Sequence, residues 1–131
     1  MSVHHNERIL REMFAIFTDF TAPIEKVLAF MTPDYRQCVD GREMALIDFQ
    51  THTLALRNAL WSLSIDIQQI VCEGNKAATV HVAHATRRSG AESLIKVVAF
   101  YYFREGRICM VDELTHVLQG HGSDQGLGGL Q

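Results

Sequence analysis

The spacing of apolar residues changes once along the chain, at Trp61, and that change constrains the fold more than any other feature. Beyond it, Leu63, Ile65, Ile67, Gln69 and Val71 alternate with Ser62, Ser64, Asp66, Gln68 and Ile70, the period of two expected of a half-buried strand. Glu73-Gly74-Asn75-Lys76 turns the chain into a strand from Ala77 to Arg88. Ser89-Gly90 turns it again, Ser93 to Arg104 makes a third strand, and Glu105-Gly106 leads into Arg107 to Leu118. Four successive strands with short Gly-containing connections read as an antiparallel meander. Each exceeds the usual ~5–6 residues, and strands that long have to bend.

Before Trp61 the spacing is helical. Ile9, Met13, Ile16, Phe17 and Phe20 lie on one stripe, widened by Leu10 and Phe14. Thr21 and Pro23 open a second helix, Ile24 to Met31, which Thr32-Pro33-Asp34 breaks. An extended piece, Tyr35 to Val39, follows. Asp40-Gly41-Arg42-Glu43 reads as the capping box of a third helix whose apolar face is Ala45, Phe49, His52, Leu56, Ala59 and Leu60. The expected fold is therefore α+β: three N-terminal helices packed on one face of a strongly bent antiparallel sheet. Such a cone closes at one end and leaves a pocket at the other. Residues 1–119 form the single domain, and 120–131 a Gly-rich tail.

With 131 residues, 47% of them hydrophobic and 21% charged, the chain can bury a sizeable core. The net charge of −3 and the absence of like-charge blocks argue against a nucleic-acid or membrane-surface partner. No apolar run approaches the roughly 18 residues of a membrane span. Three cysteines with no Cys-x-x-Cys spacing fit reduced thiols in a cytoplasm. The adjacent basic pair Arg87-Arg88 reads as a solvated strand end.

Which side chains face the pocket depends on the last hairpin. A three-residue loop closed by Gly106 pairs Phe103 with Arg107, Tyr101 with Cys109, Ala99 with Val111 and Val97 with Glu113, and turns Val97, Ala99, Tyr101, Cys109, Val111, Glu113 and Thr115 to one face. A two-residue Glu-Gly turn would instead present Asp112. On the second strand the apolar face is Ala78, Val80, Val82, His84 and Thr86, with His81 opposite. His81 and His84 then cannot chelate together, and no other cluster has metal-ligand spacing, so no metal and no cofactor are expected.

Glu113 carries the most information. A carboxylate set among Val97, Val111 and Thr115 has its charged form disfavoured and can exchange protons near neutrality; the competing reading pairs it with Lys96 in solvent. His52, on the buried stripe of the third helix, and His84 are candidates to orient or shuttle protons, against the commoner role of a bonded core histidine. Tyr101 offers a hydroxyl to a ligand carbonyl or sits as an amphipathic wall residue. Cys38 is a candidate lining residue or a small hydrophobe, Asp40 a ligand contact or a helix cap, and Trp61 an anchor for the helix-to-sheet corner.

The order of two helices, Asp34-Tyr35-Arg36-Gln37-Cys38-Val39-Asp40-Gly41, a helix bearing Phe49 and His52, and a four-strand meander resembles the nuclear transport factor 2-like superfamily. Phe103 to Thr115 looks closest to its SnoaL-like polyketide cyclase and ketosteroid isomerase branch. The resemblance implies the cone-shaped fold and a small hydrophobic ligand. It does not fix a reaction, because this scaffold hosts isomerases, cyclases, hydrolases, dehydratases and binders without catalysis. Where steroid isomerases carry their tyrosine, aspartate base and aspartic acid, this chain has Phe14 or Ala15, Val39 or Asp40, and Ala99. Where related members often carry histidine it has Cys38. In the cyclase and epoxide-hydrolase branches an acid on the last strand acts on the ligand, and Glu113 matches that position.

The expected catalytic pair is thus Glu113 and His52, with His84, Tyr101, Cys38 and Asp40 as binding residues, in a cofactor-independent isomerase, cyclase or hydratase or in a ligand-binding module. A homodimer is implied by the resemblance, and the outward apolar set Val98, Phe100 and Tyr102 offers an interface. Sedimentation at micromolar concentration should then give twice the monomer mass of 14.8 kDa; a monomer would contradict the expectation.

Overall fold

In the computed structural model, which describes residues 4–120, the elements run α1 (His5–Phe17), α2 (Ile24–Leu28), β1 (Met31–Val39), β2 (Arg42–Ala45), α3 (Leu46–Ala59), β3 (Leu60–Glu73), β4 (Lys76–Arg87), β5 (Glu92–Arg104) and β6 (Arg107–Gln119). The tail lies, Gly120 apart, outside the described residues. All six strands form one sheet in the order β2-β1-β6-β5-β4-β3. The β3–β6 meander is antiparallel throughout, as the period of two implies. The three helices cover the concave face. Ile9, Leu10 and Met13 of α1, Val27 of α2 and Phe49 and Leu56 of α3 meet Val97, Ala99, Tyr101 and Ile108 there. Burying each of the larger side chains contributes roughly 1.5–3 kcal/mol.

The sheet has two strands more than the meander. Met31 and Thr32-Pro33-Asp34 belong to β1 rather than to α2 and its end. Pro33 falls in an interruption of the pairing between Met31 and Arg36, where its missing N–H is tolerated. β1 runs parallel to β6 and antiparallel to β2. Asp40 and Gly41 have φ of 51° and 84° and form the two-residue turn between β1 and β2. Asp40 therefore caps no helix; its carboxylate accepts from the backbone N–H (2.8 Å) and hydroxyl (2.5 Å) of Thr115 on β6. The cap of α3 lies further on, where Asp48 accepts from the N–H of Ala45 at 2.9 Å. Arg57 near the end of α3 donates to the carbonyls of Ile16, Asp19 and Ala22, and so fixes the α1–α2 connection.

Bulges decide the faces. In β3, Ile67 lies opposite His81 but Gln69 opposite Val80, so one extra residue turns Ile70 and Cys72 inward and Val71 outward. Trp61 is 71% exposed and anchors nothing: the irregular pairing between Leu60 and Ser62 turns it out while Leu60 takes the buried corner. In β4 the inward residues are Ala77, Thr79, His81 and Ala85, the reverse of the face read from its aliphatic side chains. Thr79 lies opposite Ala99 and His81 opposite Val97, so β5 dictates the face of its neighbour. On the convex side Val98, Phe100 and Leu114 are exposed. Among the described residues, no helix is long and apolar enough to cross a membrane.

Candidate functional site

A cavity of about 130 Å³ lies between α1, α3 and the concave face of the sheet. Its wall is mostly Phe, Met, Leu, Ile and Val, interrupted by a few polar groups that arrive from separate elements. Glu113 comes from β6, Gln37 and Tyr35 from β1, Tyr101 from β5, His81 from β4 and His52 from α3.

Glu113 faces inward by a route the sequence reading did not take. The β5–β6 turn has two residues, Glu105 and Gly106, with φ of 51° and 78°, and Arg104 pairs with Arg107. Unbroken, that register would present Asp112. Pairing then moves from Phe103 opposite Ile108 to Tyr102 opposite Met110, leaving Cys109 as a bulge residue. The slip restores the inward face, and Glu113 lies opposite Ala99, whose methyl leaves the carboxyl uncovered.

The parallel pairing of β1 with β6 puts Gln37 opposite Val111 and beside Glu113. Gln37 Nε2 donates to Glu113 Oε1 at 2.5 Å, and Gln37 Oε1 accepts from the Tyr35 hydroxyl at 2.8 Å. Burial pushes the Glu113 carboxyl up to about 7, assisted by the negative charges of Asp40 and Asp112 and opposed by the Gln37 bond. Desolvation outweighs the single donor, so the group stands poised between its two forms near neutral pH. Burial also raises both tyrosines, and the charge of Glu113 adds to the effect, so each keeps its hydroxyl proton. His81 is held down to about 4 by burial and is neutral.

The remaining candidates divide. His52 is 4% exposed and lines the cavity, and Tyr101 is buried with its hydroxyl 2.8 Å from Thr79 Oγ1. His84 does not reach the cavity: it lies on the outer face, 3.2 Å from Glu92, because β4 turns its odd-numbered residues inward. Cys38 is a partly buried thiol on the opposite side of β1 from Gln37, and strand alternation excludes it from the lining. Asp40 is committed to Thr115. Sequence reasoning missed Gln37, Tyr35, Thr79 and His81. No cluster of three or more metal-binding side chains occurs among the described residues.

The model of the SnoaL-like domain matches residues 10–111. An uncharacterized protein of Schizosaccharomyces pombe is 56% identical over 126 residues, 96% of this chain and 97% of that one. Among solved structures, AclR of Streptomyces galilaeus, a candidate hydroxylase, superposes with a TM-score of 0.79 at 16% identity, covering 99% of this chain and 89% of its own. IdmH of Streptomyces antibioticus, a candidate polyketide cyclase, gives 0.74 at 15% identity, covering 86% and 92%. At such identities these two structures are similar in fold alone.

The shifted groups make a stability prediction. A carboxyl at about 7 in the folded chain and 4.5 unfolded contributes stability below pH 4.5 that is lost as pH rises through 7. His81, held down, has the opposite slope between pH 4 and 6.5, so the wild-type profile alone is uninformative. The difference between Glu113→Gln and wild type isolates the carboxyl. Thermal unfolding should show the variant gaining relative stability from pH 4.5 to 8, by about 3 kcal/mol at most and less where water reaches the cavity. A difference independent of pH would contradict the burial of that charge.

Proposed function

The chain belongs to the family of SnoaL-like domains, and from that premise we propose that it performs cofactor-independent acid–base chemistry on a small, largely apolar carbonyl compound, with Glu113 as the proton acceptor and donor. One observation carries the reading: an ionisable carboxyl, raised to about 7, opens onto an apolar cavity. A general base works best when its pKa lies near the working pH, because both forms are then populated. In its carboxylate form Glu113 takes a proton from carbon next to a carbonyl, and in its acid form it returns that proton elsewhere on the same molecule. The Gln37 amide holds the carboxylate by one oxygen and leaves the other to the ligand. Tyr35 holds Gln37 in turn, so the amide is aimed by the strand beneath it. Isomerisation and aldol-type cyclisation begin with such a transfer; in hydration the same carboxylate takes the proton from the attacking water instead. His52, on the helix side of the same cavity, orients the ligand in this reading.

A second reading is a binding module without catalysis. It is favoured by the predominance of apolar side chains in the wall, which hold a hydrophobic molecule without needing an acid.

Turnover of a panel of carbonyl and epoxide compounds by wild type and Glu113→Gln separates the two. The catalytic reading predicts activity that rises with pH through about 7 in the wild type and falls at least ~100-fold in the variant. Equal activity in the two proteins would remove Glu113 from the chemistry, and no activity in either with saturable binding retained favours the binding module.

A further inference from the structure

Three polar groups on the concave wall have no part in the chemistry of Glu113. Thr79, His81 and Tyr101 are 2%, 4% and 2% exposed. The Tyr101 hydroxyl lies 2.8 Å from Thr79 Oγ1, and Thr79 Oγ1 lies 2.9 Å from His81 Nδ1. Tyr101 pairs across the sheet with Ala77, and Thr79 with Ala99, so two small residues leave the diagonal open for the tyrosine to reach the threonine. Tyr101 and His81 line the cavity, while Thr79 joins them from behind it.

The proton inventory of this chain allows two arrangements. A threonine hydroxyl carries one proton and gives it to one neighbour at a time. In the first, Tyr101 donates to Thr79, Thr79 donates to Nδ1, and the imidazole proton sits on Nε2. In the second, Nδ1–H donates to Thr79, Thr79 donates to the tyrosine oxygen, the Tyr101 proton is free, and Nε2 bears a lone pair. Each arrangement presents one donor and one acceptor, at opposite ends. Burial keeps the imidazole neutral and the phenol protonated, which both arrangements require.

We propose that Thr79 is the positioning residue of a reversible hydrogen-bond relay through which His81 and Tyr101 bind a ligand carrying one donor and one acceptor, a neutral hydroxy-carbonyl compound on an apolar frame. The relay inverts when the two hydroxyls turn and the imidazole gives its Nε2 proton to water and takes one from water at Nδ1, so the wall accommodates the keto and enol forms of such a ligand in turn. A carbonyl oxygen receives the free Tyr101 O–H, and an enol O–H meets the tyrosine oxygen once its proton has turned to Thr79. No proton leaves the ligand in this step. It deepens the reading of the cavity as a ligand site, but it is independent of proton transfer by Glu113.

The test uses 3-hydroxybenzaldehyde, with one donor and one acceptor, and 3-ethyltoluene, of the same outline without polar atoms. Binding is followed in the nitrogen-15 spectrum of histidine-labelled protein, which also reports the tautomer of His81. Thr79→Val keeps the shape and removes the hydroxyl; Thr79→Ser keeps the hydroxyl. Thr79→Val should weaken 3-hydroxybenzaldehyde about tenfold and leave 3-ethyltoluene within about twofold, with Thr79→Ser restoring the affinity. The His81 tautomer should respond to 3-hydroxybenzaldehyde in the wild type and not in Thr79→Val. Equal weakening of both probes, no weakening of either, or no saturable binding of 3-hydroxybenzaldehyde to the wild type would overturn the relay. Glu113→Gln should preserve the discrimination even though its turnover is lost, so failure of the relay and failure of the acid–base reading give different results.

Discussion

The competition between desolvation and one hydrogen bond at Glu113 governs everything else in this molecule. Burial among apolar side chains disfavours the carboxylate, and the Gln37 amide favours it. With more donors the group would be a permanent anion, a structural feature of no catalytic use near neutrality. With none it would stay protonated. A single amide, itself held by Tyr35, leaves it between these limits. The three helices matter to this balance because they remove water from the concave side.

The position of that carboxyl depends on strand register, and register depends on turns and bulges. Asp40-Gly41 and Glu105-Gly106 both adopt positive φ at two consecutive residues and connect antiparallel strands directly. Asp before glycine is a strong hairpin signal. At Asp40 it also fitted a helix cap with Glu43 three residues on, and the cap was the wrong choice of two locally satisfactory arrangements. At Glu105 the preferred three-residue loop and the observed two-residue turn with its bulge both turn Val111, Glu113 and Thr115 inward, but Cys109, expected on that face, is the bulge residue and does not line the cavity. The inward orientation of Glu113 was therefore legible, while the path to it was not, because a bulge leaves no reliable mark in a single strand.

The fold class, the boundary at Trp61, the faces of α1, α3 and β5 and the pocket-side placement of His52 and Tyr101 could be read from periodicity, whereas that of Glu113 also needed the choice of hairpin register. The face of β4 could not be read from hydropathy. Its inner row, Ala77, Thr79, His81 and Ala85, is small and polar, whereas valines occupy its outer row. Small residues fit the crowded concavity beneath the helices, and larger aliphatic ones are tolerated on the open convex side. A two-residue turn at Ser89-Gly90 would carry the clear face of β5 onto Val80 and Val82; the chain instead turns through Arg88, Ser89 and Gly90, with the Arg87 N–H donating to the Ala91 carbonyl, and that extra residue brings His81 opposite Val97. Gln37 was hidden by a different cause: its partner is 76 residues away and the pairing of β1 with β6 is parallel, which no local pattern announces.

The similarity to AclR and IdmH extends over most of each chain, yet only the fold follows from it. What distinguishes this chain is the chemistry of its own wall, and Glu113 is the group on which that chemistry turns. A carbon-13 titration of the glutamate side-chain carboxyls tests this most directly, with Glu113→Gln identifying the resonance. One glutamate should titrate at about 7. If the Glu113 resonance instead titrates near 4.5, the ordinary glutamate value, the carboxyl is solvated and the acid–base role falls.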